Sequence, residues 1–549
     1  MNNKIQELIF QSMKDSGLDR KIDDLYSMIE IERPKESSHG HFSTNLAMKL
    51  PRYLKKPPRE IAETIVENIP DRPDLIDKVE IKGPGFINFF MTKSALQSII
   101  TEIKNQEDDF GKNEQGKGQK TIVEFVSANP TGPLTVGHGR QAVLGDCIAR
   151  ILNWNGYQVY REYYYNDAGR QMRILGYSTY VRYRQLLGFD DEMPEDYYQG
   201  EYIKEVAQKI VDEHGDKYKD NKDASVFRQY AEEAVFEDIN NTLKTLGIEF
   251  DRYFNEKTLY ENGKIDEVLD KFESIGASYE KDGAIWFKGS QYGVDDDRVL
   301  WKSVADEATY RLPDMAYHKT KFERDFDRIV DVFGADHHAT YPDVIAGLRA
   351  LGLETDKVEV VIHQFVTLMR GDQKVKMSTR KANYVTLDEL IDEVGKDVVR
   401  YFFIMRKAQS QLNFDLDLAK KEGEENPVFY LQYAHARICS LLRKARARGV
   451  DVDSSGSLKL LSETETLDLL YVLEEFKEVV KLCGESLEPQ HITRYLEKLA
   501  TAFHKFYTEC RVLSDDKDLT LARLEIVKAT KTVMANGLNI IGIEAPERM

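Results

Sequence analysis

Two short stretches carry side chains suited to phosphate chemistry. Leu134-Thr-Val-Gly-His-Gly-Arg140 puts a glycine and a histidine where a strand-like run gives way to a helical one. A helix N-terminus offers free N–H groups and a partial positive charge, so it attracts phosphate. Gly137 lets a ligand approach the backbone closely. His138, in the first turn, can donate a hydrogen bond to a phosphate or ribose oxygen. Far downstream, Lys374-Val-Lys-Met-Ser-Thr-Arg-Lys381 gathers cations on one stretch after Gly371-Asp372. Such a loop can neutralise charge that builds on a transferring group and its pyrophosphate leaving group. Taken alone, the first heptapeptide reads better as a helix-capping glycine next to an incidental histidine.

The elements that must position these residues follow from pattern. Thr121-Ile-Val-Glu-Phe-Val126 is a strand by composition. A loop with Asn129-Pro130 and Gly132-Pro133 leads into a helix from about His138, with apolar Val143, Leu144, Ile148, Ile151 and Leu152, which stops at Asn155-Gly156. Another strand pattern covers Gln158–Tyr164, and further apolar strands lie at Arg328–Phe333 and Val358–His363. Strand, glycine-bearing loop, helix, strand opens a doubly wound parallel sheet, a Rossmann-like α/β catalytic domain. Residues 1 to about 110 form a separate α/β unit, with helices near Ile5–Met13 and Pro58–Asn68 and strands at Val79–Ile81 and Phe86–Phe90. The polar stretch Gly111 to Lys120 reads as a linker. Residues from about Gly176 to Ser303 are acidic and mostly helical by pattern, as inserted material. From Asp397 onward helical periodicity dominates, which predicts an all-helical bundle. The expected domains are 1–112, 113–396 and 397–549.

The two phosphate motifs together resemble the HIGH and KMSKS motifs of class I aminoacyl-tRNA synthetases in order, separation and sheet context. The chain departs from that pattern twice: Thr135 stands for the first histidine and Thr379 for the second lysine. Lys374, Lys376, Arg380 and Lys381 are neighbours able to supply charge. Val123-Glu-Phe-Val-Ser-Ala-Asn-Pro-Thr-Gly-Pro133 and Ala308-Thr-Tyr-Arg-Leu-Pro-Asp-Met-Ala-Tyr317 resemble the arginyl enzymes in particular. That resemblance implies an arginine site made by Glu124, Asn129, Tyr310 and Asp314. A guanidinium is planar and always charged, and a carboxylate such as Asp314 can accept from it bidentately. The face of Tyr310 can cover the alkyl stem or stack on the cation. ATP is expected at Thr135, Gly137, His138, Asp336, His337, Lys376, Met377 and Ser378. His138, Lys376, Arg380 and Lys381 are expected to act on the reacting phosphate.

The resemblance extends to both ends. Asp397-Val-Val-Arg-Tyr401 resembles the DALR pattern that opens the family's anticodon-binding bundle. Beyond it, Tyr430, Tyr433 and Arg437 lie in a run that mixes aromatics with Gln, His and Arg, which suits stacking on unpaired bases. The ending Glu544–Met549 resembles the family's, with Met549 at the tRNA. Phe86 and Asn88 match a strand from which the N-terminal domain meets the tRNA corner.

Bulk properties constrain the alternatives. The 549 residues carry a net charge of −18, which alone argues against a nucleic-acid partner. Residues 397–549 hold 22 Lys+Arg against 24 Asp+Glu, however, and include Arg443, Lys444, Arg446 and Arg448. That run reads as a nucleic-acid surface or as a solvated helix face. The four cysteines are far apart and form no CxxC pair, so neither zinc nor a disulfide framework is expected. No apolar run is long enough to span a bilayer. The expectation is therefore a cytoplasmic, monomeric enzyme using ATP with Mg2+, arginine and tRNA(Arg). Three rivals remain: a synthetase for another amino acid, a small-molecule nucleotidyltransferase, and a non-catalytic tRNA-binding paralogue.

Overall fold

The computed structural model describes residues 1–34, 39–221, 223–303, 305, 307–375 and 385–549. At the N-terminal end, β1 (Phe42–Thr44), β2 (Ile76–Lys82) and β3 (Phe86–Met91) form an antiparallel sheet in the order β1-β3-β2. Helices Asn2–Asp15, Pro58–Glu67 and Lys93–Gln106 accompany it. Their apolar positions, among them Ile5, Ile9, Ile61, Ile65, Ile99 and Ile103, are buried at helical spacing.

The sheet that carries the site contains β4 (Lys120–Glu124), β5 (Gln158–Tyr165), β6 (Arg252–Asn255), β11 (Arg328–Gly334) and β12 (Val358–His363). Its order is β12-β11-β4-β5-β6, and every pairing is parallel. The chain runs from β4 outward on one side and later returns to its other side. That places a topological switch at β4, where a crevice opens beyond the strand C-termini. β4 ends at Glu124 because Val126 and Ser127 adopt positive φ of 67° and 44°. For a β-branched residue such as Val126 this conformation is strained.

Between β6 and β11 lies a second, antiparallel sheet: β7 (Ser278–Lys281), β8 (Ala284–Phe287), β9 (Arg298–Lys302) and β10 (Glu307–Ala308). The mostly helical reading of about Gly176 to Ser303 holds for Gly169–Leu186, Glu201–His214, Ser225–Thr245 and Lys264–Ser274 but not for β6, β7, β8 and β9. The stretch Gly111–Lys120 is also packed rather than free. A Cβ on Gly111 would lie 2.5 Å from the Phe476 ring and one on Gly116 2.5 Å from Tyr157.

Four long helices, Pro427–Ala447, Thr464–Ser486, Gln490–Glu509 and Lys517–Ile540, make the C-terminal bundle. Residues just after Asp397 are shared with the catalytic body. Strand β15 (Leu412–Asp415) pairs parallel with β13 (Val366–Arg370), which also pairs with β14 (Gln373–Lys374). Helix Lys396–Ile404 packs on Val136–Trp154. Arg400 is fully buried there. It donates to Asp146 at 2.6 Å, to the Leu246 carbonyl at 2.9 Å and to the Ile541 carbonyl at 2.9 Å. One continuous apolar core joins the N-terminal unit, the parallel sheet and the bundle.

Candidate active site

A cleft of about 860 Å³ opens at the C-terminal ends of β4, β5, β11 and β12. Its phosphate-side wall starts at helix Val136–Trp154. Thr135 is the N-cap: its hydroxyl accepts from the His138 N–H, while Thr135 N–H donates to His138 Nδ1 at 3.2 Å. The reciprocal cap gives a local reason for threonine at a position where the family motif has histidine. Because Nδ1 accepts, the neutral ring carries its proton on Nε2, leaving a donor for a ligand. Burial lowers the His138 pKa, against the pull of Asp336. A Cβ on Gly137 would meet only the Thr135 hydroxyl at 3.7 Å, so the backbone there stays approachable.

Residues 376–384, and with them Lys376, Met377, Ser378, Thr379, Arg380 and Lys381, lie outside the described residues. The flank that follows them is described and sits on the first motif. Thr386 bridges Thr135, and Leu387 N–H donates to the Leu134 carbonyl at 2.8 Å. Gly139 makes this possible, since a Cβ there would lie 2.5 Å from Leu387. Asp336 and His337 occupy the turn Ala335–Ala339 after β11, and His337 stacks on Phe333 with centroids 5.0 Å apart. His363, at the end of β12, joins this wall, and burial pushes its pKa down to about 4. The exposed Phe365 stands on the rim. The sequence pattern pointed to neither His363 nor Phe365 as a site residue.

The opposite end is acidic. Asp314 and Tyr310 come from helix Arg311–Glu323, with Tyr310 at its N-cap and 77% exposed over the cleft. Asp314 takes part in no ion pair among the described residues. Burial, then the nearby carboxylates Glu124 and Glu256, push its pKa up to about 7, against His318 and Lys321. Glu256 lies at the start of helix Lys257–Glu261 and accepts from Tyr164 OH at 2.5 Å and Asn166 Nδ2 at 2.7 Å. Asn129 accepts from Asn166 N–H at 3.0 Å and donates to Gln171 at 3.1 Å. Glu124 accepts from the Ser127 hydroxyl at 2.9 Å and from Lys321 at 2.6 Å, keeping further lone pairs on each oxygen. All four residues expected at an arginine thus line one cleft. Glu256 is an additional carboxylate that the sequence pattern did not single out.

A resident metal does not fit here. Among the described residues, Glu124, His318 and Asp331 are the group whose ligand atoms lie within 4.8 Å of one another. The Lys321 ammonium already bridges both carboxylates at 2.6 Å, so a second cation would meet like charge.

Away from the cleft, Phe86 is exposed at the start of β3, whereas Asn88 is 4% exposed between β1 and β2. A base could meet Phe86 directly, whereas the Asn88 side chain, two residues further on the same face of the strand, is covered. On the bundle, Tyr433 stacks on Phe429 at 6.1 Å, and Arg437 donates to Tyr433 OH at 2.8 Å while covering the Tyr433 and Tyr507 rings. Tyr430 lies half-buried against His504, and Met549 is exposed.

Comparison with known proteins agrees with this layout. The family described as "Arginyl tRNA synthetase N terminal domain" matches residues 3–91. "tRNA synthetases class I (R), catalytic domain" matches 99–415, and "DALR anticodon binding domain" matches 431–549. The arginine--tRNA ligase of Salinibacter ruber is 50% identical over 539 residues, covering 95% of this chain and 96% of its own. That of Desulfotalea psychrophila is 49% identical, covering 94% of each. The arginyl-tRNA synthetase of Thermus thermophilus, at 21% identity, shares the fold with a TM-score of 0.78 over 100% of both chains. With half its residues identical to such relatives along nearly their full length, the chain belongs to the arginyl-tRNA synthetase family of class I enzymes.

Proposed function

We propose that the chain joins arginine to tRNA(Arg) using ATP, with both substrates of the first step held in this one cleft. The arginine carboxylate attacks the α-phosphate of ATP, and pyrophosphate leaves. The terminal ribose hydroxyl of the tRNA then attacks the adenylate carbonyl, and AMP leaves. No covalent bond to the protein is needed, so positioning and charge stabilisation carry the rate.

The carrying observation is the Asp314 carboxylate, which has no ion-pair partner among the described residues and is set among Glu124 and Glu256 across the cleft from the N-terminus of helix Val136–Trp154. A cation is wanted at one end and an anion at the other. In this reading Asp314 and Glu256 accept from the guanidinium, Tyr310 covers it, and Glu124 and Asn129 orient the α-ammonium end. Thr135, Gly137, His138, Asp336 and His337 face the nucleotide, with His138 Nε2 donating to phosphate. Lys376, Met377, Ser378, Arg380 and Lys381 complete the phosphate side. Mg2+ enters with ATP as part of the substrate and shares the screening of phosphate charge. Phe86, Asn88, Tyr430, Tyr433, Arg437 and Met549 are assigned to the tRNA, with Asn88 needing to be uncovered first. The same reading has the protein working in the cytoplasm as a monomer without zinc. No helix among the described residues is long and apolar enough to cross a membrane.

Aminoacylation of bulk tRNA with each amino acid in turn tests the assignment. Charging with arginine alone is expected. Charging with a different amino acid, or none at all with ATP and Mg2+ present, would overturn it.

A further inference from the structure

Helix Arg311–Glu323 does more than present Tyr310 and Asp314 at its first turn. Roughly two turns further along the same face it buries Lys321 completely. The Lys321 ammonium donates to Glu124 Oε2 and to Asp331 Oδ1, each at 2.6 Å, and lies 4.5 Å from the centroid of the Tyr317 ring. Glu124 and Asp331 stand directly opposite each other on the adjacent parallel strands β4 and β11. The other Asp331 oxygen faces His318 Nε2 at 3.0 Å. One ammonium therefore ties the helix that carries Asp314 to the strand ends that carry Glu124. Burial pulls the Lys321 pKa down, but Asp331 and Glu124 outweigh it and hold the group cationic.

This matters because the two ends of the proposed substrate are received by different elements. Asp314 sits on the helix and Glu124 on the sheet, and their spacing must match the length of one amino acid. We propose that Lys321 is a positioning residue that fixes the separation between the guanidinium acceptor and the α-ammonium acceptor, and so selects side-chain length. The proposal rests on the arginine-pocket reading above. Lys321 has a second effect in the same direction. Without it, Glu124 and Asp331 are neighbouring buried carboxylates with no ammonium between them, and their repulsion disturbs the strand end that receives the α-ammonium. Lys321 donates to Glu124 and Asp331 and to no residue of helix Val136–Trp154, so its loss is expected to bear on arginine before ATP.

The test compares Lys321→Met and Lys321→Arg with the unaltered protein in tRNA charging, using L-arginine and L-homoarginine, its homologue with one more methylene. One methylene in a fitted pocket is worth about 10–200-fold in kcat/KM. The Met variant is expected to raise the arginine KM about tenfold or more, to leave the ATP KM within about twofold, and to narrow the arginine-to-homoarginine ratio. The Arg variant, which keeps the charge, should recover most of that ratio. A protein that is merely less stable loses activity on both substrates alike and keeps the ratio. Because removing a cation from a buried cluster can unfold a protein, Lys321→Met combined with Asp331→Asn is measured beside it, since this pair removes one carboxylate as well. An unchanged ratio in the folded variants, or equal losses for ATP and arginine, overturns the proposal. Asp314→Asn distinguishes the two levels. If it weakens arginine use while the Lys321 variants do not, only the Lys321 role falls. If it too is without effect, the pocket reading falls, and the proposal with it.

Discussion

Arginine affinity is expected to rise steeply across neutral pH, because the carboxylate proposed to receive the guanidinium titrates there. Asp314 has its pKa pushed up to about 7, first by burial and then by Glu124 and Glu256, while His318 and Lys321 oppose the rise. Only the ionised form pairs with a guanidinium. The apparent dissociation constant is the intrinsic one divided by the ionised fraction, which is about one tenth at pH 6 and about nine tenths at pH 8. Affinity should therefore increase about tenfold from pH 6 to pH 8. At pH 7 binding should release about half a proton. Isothermal titration calorimetry with arginine and the free protein at pH 6, 7 and 8, repeated in buffers of different ionisation enthalpy, reads both quantities. Asp314→Asn should lose the slope and weaken binding by about 2–5 kcal/mol, as expected when one partner of a desolvated charged pair is removed. A flat affinity between pH 6 and pH 8 would refute the reasoning, and so would a tenfold slope that survives in Asp314→Asn.

Three other outcomes are expected. His138→Ala should slow adenylate formation in single-turnover assays by about 10²–10³, with arginine binding at equilibrium little changed; an unaltered rate would remove His138 from the chemistry. Tyr310→Ala should weaken arginine binding by about 0.5–2 kcal/mol while Tyr310→Phe retains it, since the aromatic face is what covers a cation; equal behaviour of the two variants would contradict this. Arg400→Met should destabilise the protein by about 3–5 kcal/mol in denaturant unfolding, because it leaves Asp146 buried without its closest fully buried cation. A loss below about 1 kcal/mol would mean that Arg150 and Arg161 suffice for Asp146.

Some of this architecture could be read directly from the chain. The strand at Thr121, the glycine-bearing loop and the helix through Leu152 follow from local apolar pattern and turn residues, and the parallel sheet follows from them. Asp314 and Tyr310 stood out because the segment that carries them resembles the arginyl enzymes. Glu256, His363 and Lys321 did not, because their meaning comes from sheet register. Lys321 lies 197 residues from Glu124 in sequence, and only the β4–β11 pairing brings its two partners together. Strands β7 to β10 escaped notice because they are short and interrupted by charges. Gly111–Lys120 has the composition of a linker, yet Phe476 and Tyr157 pack onto its glycines. In that case tertiary contact overrides composition, and no window of sequence reveals the partner. Thr135 showed as a departure from a motif, and its geometry adds the reason: the side chain caps the helix that begins at Val136.

The contact between the two nucleotide motifs has a consequence for how the enzyme can vary. Leu134 and Thr135 meet Thr386 and Leu387 through main-chain pairing and the N–H to carbonyl bond between Leu387 and Leu134. Such bonds use main-chain atoms, so the tether persists wherever the buried Leu134 and Leu387 keep their packing and Thr135 and Thr386 keep their helix caps. Proline is the exception: at Leu387 it would remove the N–H that the tether uses. Side chains within 376–384 can therefore differ from the family motif, as Thr379 does, while the flank at Thr386 stays registered on helix Val136–Trp154. Chemical variation and positional accuracy are thereby assigned to different atoms, and the first can be sampled by mutation without losing the second.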